Sequence, residues 1–188
     1  MLLSFALVAF VAGGKPPPPE PPAAPDEAVT LTKRLFSAFR ARNAGDFAAV
    51  TGLPFTYGTT YPPKARRCDG TSNNESQLRQ RFDCVLKTEE LLVHELAEFS
   101  EELNFVGDSS RDGYLRRFDP KSERRFDPMT SLPKALVRRA AILRRSGVSL
   151  FAGAILGNGV TYEYVVTIRG TGNEARVVGL VLDVTVYE

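Results

Sequence analysis

Tyr162, Glu163 and Asp183 are the residues of this chain best placed to move a proton. They fall in "VTYEYVVTIR" and "ARVVGLVLDVTVY", runs of β-branched and aromatic residues that read as strands. Alternation along the first strand puts Tyr162 and Tyr164 on one face and Glu163 on the other; along the second it groups Asp183 with Val181 and Thr185. A carboxyl enclosed by apolar surroundings keeps its proton to higher pH and can act as a base. The competing reading puts both acids on a solvated strand face, the commoner place for Glu and Asp. Other reactive types are sparse. His94 is the single histidine, and with Glu95 and Glu98 it reads as part of a solvated acidic helix face. The chain has no G-x-S-x-G, Walker loop, H-E-x-x-H or G-x-G-x-x-G. The expectation is no metal and no cofactor.

Cys68 and Cys84 are the only cysteines. In an exported protein an even count points to a disulfide, which here would pin a basic loop ("RRC") to an apolar helix face. A zinc site would need two further ligands, and His94 supplies one. A redox pair would normally sit closer together, as in C-x-x-C.

Charge is unevenly spread although the net value is only +2. Residues 111–145 hold 11 Lys and Arg against four Asp and Glu, a local +7. Residues 69–102 hold three against nine, a local −6. Within the basic part "RRFDP" occurs twice, at Arg116 and Arg124, with the turn "DPKS" between the copies. Arg116, Arg117, Arg124, Arg125, Arg138 and Arg145 form the candidate basic patch. The small net charge and the acidic stretch in the same chain argue against a nucleic-acid partner. The expectation is a connector over 107–130, docked by Phe118 and Phe126, whose arginines face the acids from Glu89 to Glu102. An anionic envelope component met by a ridge at Arg138 and Arg145 is the alternative.

These residues need elements to position them. Residues 1–14 contain the apolar run "LLSFALVAFVA", too short to span a bilayer and of signal-peptide length. Residues 15–25 hold seven of the 13 prolines and read as an extended linker. The single domain is expected over 26–188, in a protein that is exported to the periplasm or cell envelope. A helix runs from Asp26 towards Arg42 with Leu31, Leu35, Phe36 and Phe39 inward, and a short one follows from Asp46. "LPFTYGTTY" reads as a strand with Pro54 at its start or at a sheet edge, and "PPKARRCDGTSNN" as a loop. Helical spacing returns from Asn74 to Leu103, and "LNFVG" reads as a short strand. A last helix is expected from Ser131 to Gly147, with Leu132, Leu136, Ala140 and Leu143 on one face and Lys134, Arg138 and Arg145 on the opposite one. Three strands joined by "GNG" and "GTGNE" close the chain as an antiparallel meander. The fold class is α+β: N-terminal helices packed on a curved antiparallel sheet ending in a three-strand meander.

That order resembles the nuclear-transport-factor-two-like superfamily, the cone-shaped domains that include the SnoaL-type cyclases and ketosteroid isomerase. The opening helix, the "AGDF" step, the "LPFTY" strand and the closing strands from Val160 to Tyr187 carry the resemblance. It implies a cone lined with polar residues, in which carboxylates transfer protons next to a carbonyl. Two functions follow as expectations. One is an exported, non-enzymatic domain binding a small ligand or envelope partner. The other is a cone-pocket isomerase or cyclase using Asp183, Glu163 and Tyr162.

Overall fold

The structure is a computed structural model that describes residues 26–60, 68–88, 115–117, 134–156 and 160–186. Two helices open it: α1 (Asp26–Arg40) and α2 (Ala44–Val50). The expected break between them is there, and Asn43 caps the start of the second helix. Its side chain accepts the backbone N–H groups of Gly45 and Asp46, satisfying donors that the first turn cannot. Strand β1 (Thr51–Thr59) follows, then β2 (Gly70–Ser72), α3 (Glu75–Thr88), β3 (Leu115–Arg117) and α4 (Lys134–Ala140). A 3-10 turn over Ala141–Leu143 extends α4, and β4 (Val148–Leu156), β5 (Val160–Arg169) and β6 (Arg176–Val186) close the chain.

The strands form one sheet in the order β2-β1-β6-β5-β4-β3. The meander β4-β5-β6 is antiparallel as the turn chemistry requires. One pair departs from the all-antiparallel expectation: β1 runs parallel to β6, because a strand from the start of the domain is laid beside its last one. Pro54 sits where the β1–β6 register shifts, between Thr51 and Thr56, so its missing N–H costs the ladder nothing. Two short strands fall where sequence reading places loop and connector. Gly70–Ser72 pairs with β1, and Leu115–Arg117 pairs with β4. At three residues each, they are too short for a periodic signal.

Helices α1, α2 and α3 cover one face of the sheet. Phe36, Phe39, Phe47, Phe55, Tyr57, Phe82 and Tyr164 are each 1% exposed or less there. The six rings other than that of Tyr57 pack in pairs, with centroids 4.8 Å apart for Phe36–Tyr164 and Phe47–Phe82, 5.4 Å for Phe39–Phe82 and Phe47–Phe55, and 5.1 Å for Phe39–Phe47. Cys68 and Cys84 form the disulfide, sixteen positions apart, tying the residues before β2 to α3.

The opposite face is covered by α4. Leu136, Ala140 and Leu143 are buried against Ala152, Val165 and Val181, as their spacing predicts, while Lys134 and Arg138 are exposed. Gly179 lets the 3-10 turn lie this close: a Cβ there would stand 2.6 Å from Leu143 Cδ2. Ser131, Leu132, Pro133, Phe118, Phe126, His94 and Glu89 to Glu102 lie outside the described residues, as do residues 1–25 and the "LNFVG" segment.

Candidate functional site

The strand register of β5 and β6 brings the two candidate acids together. Arg169 faces Arg176 and Ile168 faces Val177, but Thr167 faces Gly179, so Val178 is an extra residue on β6. This bulge advances β6 by one position. Without it Glu163 would face Leu182; with it Glu163 faces Asp183. Both carboxyls therefore lie on the α4 face, in the row beyond Val165 and Val181. Ala154 of β4 is the other neighbour of Glu163.

Thr60 closes the row from the β1 side. Its backbone N–H donates to Leu182 O at 2.9 Å, which continues the parallel ladder. Its hydroxyl donates to Asp183 Oδ1. Asp183 is 8% exposed and Glu163 is half-buried. Burial, and secondarily the charge of Asp183, pushes the Glu163 carboxyl up to about 7 from an ordinary value of 4.5. Near neutral pH Glu163 is thus divided between a proton donor and an acceptor, beside a second carboxyl.

Sequence alternation places Glu163, Tyr164 and Asp183 on the correct faces, but it misses that the acids are partners. Counting back from the "GTGNE" turn gives the wrong opposite residue unless the bulge is known. Tyr164 is on the other face, buried edge-on against Phe36. The backbone of Tyr162 faces Val184 and Ile155; its side chain lies outside the described residues. A cone between the sheet and helices α1–α3 would not contain Glu163 or Asp183.

The basic candidates are spread out. Arg116 and Arg117 are in β3, opposite Ala152 and Phe151, with side chains outside the described residues; Arg124 and Arg125 lie outside them altogether. Arg138 is exposed on α4. Arg145 lies past the helix, and instead of standing on a ridge with Arg138 it donates to Thr56 Oγ1 at 2.8 Å. Thr56 Oγ1 is in turn 3.0 Å from Thr71 Oγ1. Arg139, absent from the sequence candidates, pairs with Asp69, whose Oδ1 accepts the Thr59 N–H at 2.9 Å. Among the described residues no three of His, Cys, Asp and Glu converge as metal ligands, and no helix is long and apolar enough to cross a membrane.

No family model matches the chain, and no curated protein matches it. Among solved structures it is similar to a protein of unknown function with a cystatin-like fold from Nostoc punctiforme, at 9% identity and a TM-score of 0.44, over 85% of this chain and 89% of that one. A second cystatin-like domain of unknown function from the same organism is similar at 9% identity and a TM-score of 0.39, over 84% and 75% of the two chains. An NTF2-like protein from Burkholderia xenovorans is similar at 13% identity and a TM-score of 0.34, over 87% and 93%.

Proposed function

We propose that this chain is an exported, non-enzymatic domain that binds a small ligand or an envelope partner at its surface. The observation that most supports this is the interior between the sheet and helices α1–α3. Among the described residues seven aromatic side chains lie there at 1% exposure or less, six of them with rings in contact, where a cone-type domain would admit a substrate. The Cys68–Cys84 disulfide supports export, since such bridges persist in oxidising compartments. An environment-sensitive dye such as anilinonaphthalene sulfonate tests the packed interior. The folded protein is expected to leave its fluorescence unchanged, and Phe36→Ala, which opens space beside Tyr164, to raise it. Strong, saturable dye binding by the unaltered protein that persists when the exposed side chains of α4 are changed would show an open interior and overturn the reading.

A second reading rests on the carboxyl pair. Glu163, titrating at about 7 opposite Asp183, has the properties of a general base on the α4 face. An activated proton-transfer probe such as a nitrobenzisoxazole tests it. This reading expects turnover that rises with pH through about 7 and disappears in Glu163→Gln. Equal rates in the two proteins would exclude it.

A further inference from the structure

The outer side of α4 and the turn after it carries charge of one sign. From Lys134 to Arg145 there are five Lys and Arg and no Asp or Glu. Arg139 is neutralised by Asp69, and Arg145, although exposed, is held by Thr56. Lys134 and Arg138, one helical turn apart, are exposed with no acid on their own element. Ile142, one further turn on, is 40% exposed and is the only exposed large hydrophobic among the described residues. The stripe Lys134, Arg138, Ile142 therefore lies along one side of the segment. The opposite side, Leu136, Ala140 and Leu143, is buried in the sheet and holds the stripe in place.

We propose that this stripe docks on an anionic membrane surface, Lys134 and Arg138 meeting lipid headgroups and Ile142 entering the interface between them. Charge complementarity argues for an anionic partner. Ile142 selects the lipid surface, because a sugar-acid or nucleic-acid polymer offers no apolar phase for an exposed aliphatic side chain. The inference stands apart from the packed interior: lipid binding and dye binding are separate measurements.

The test is sedimentation of the whole protein with phosphatidylcholine vesicles, with and without phosphatidylglycerol, at low and high salt. Binding is expected only with phosphatidylglycerol, weakening as salt rises. Lys134→Ala with Arg138→Ala is expected to weaken it about 30-fold, at about 1 kcal/mol for each basic residue near the surface. Ile142→Ser is expected to weaken it while leaving the salt dependence in place. Each position is exposed, so unfolding midpoints should stay unchanged and separate lost binding from lost fold. Failure of the unaltered protein to bind phosphatidylglycerol vesicles at low salt would overturn the proposal. So would retention on heparin without vesicle binding, which assigns the stripe to a soluble polyanion. Vesicle binding that appears only after Glu98, Glu101 and Glu102 are changed to Gln would overturn it too, by showing that the chain's own acids cover the stripe.

Discussion

Glu163 titrates near neutrality because two effects act on one carboxyl. Half-burial beside Ala154 removes water from the charged form, and Asp183 across the ladder adds like charge. Asp183 in turn accepts the Thr60 hydroxyl, which holds it in place beside Glu163. The shift at Glu163 has a consequence for stability with a definite sign. The folded chain holds the Glu163 proton up to about 7, whereas the unfolded chain releases it near 4.5. Raising pH through that window therefore costs the folded state stability, and the loss is complete above 7. Glu163→Gln is expected to remove this decline and to be more stable than the unaltered protein at pH 8, as chemical denaturation across the pH series will show. An unchanged slope between pH 4.5 and 7 in the variant would mean that Glu163 is not the group responsible.

At the scale of elements, the covalent tie between Cys68 and α3 acts at one edge of the sheet. Strand β2 has three residues and, among the described residues, pairs only with β1. The bridge holds the chain just before β2 against α3, and Arg81 of the same helix donates to the carbonyls of Cys68 and Asp69. Asp69 also receives Arg139 from α4, so this short segment joins layers on both sides of the sheet. Replacing both cysteines by Ala is expected to lower unfolding free energy by about 3 kcal/mol, the chain-entropy value for a loop of this length. Guanidinium unfolding of the double variant measures it, and a change within a few tenths of a kcal/mol would show that the noncovalent ties suffice. What sequence makes legible at this scale is periodicity. The apolar stripes of α1 and α4 and the alternation of β4, β5 and β6 are all readable because each runs over several repeats. The three-residue strands β2 and β3 offer no repeat, and only their partners β1 and β4 define them.

The whole molecule is a sheet with two different coverings. Among the described residues, one face is covered by three helices and a cluster of rings; the other carries one short helix, the carboxyl pair and the basic stripe. The order of elements, and with it the α+β class, could be read from turns and caps such as "GTGNE" and Asn43. The assignment of chemistry to a face could be read from alternation. The meeting of Glu163 with Asp183 could not, since it depends on a register that turn residues alone do not set. Arg139 with Asp69 was equally hidden, because seventy positions separate them and only the finished sheet brings them close.

Val178 contributes to the carboxyl pair without touching it. The number of residues between Arg176 and Asp183 exceeds by one the number between Glu163 and Arg169, and the pair meets because the bulge at Val178 absorbs the excess. The determinant is thus arithmetic rather than chemical. Many residue types could stand at Val178 and keep the two acids opposed. The same chain with Val178 drawn into a regular ladder, every acid retained, would set Leu182 against Glu163 and send the two carboxyls to opposite sides of the sheet. Neither residue types nor strand length would reveal such a change; only the register of the ladder would.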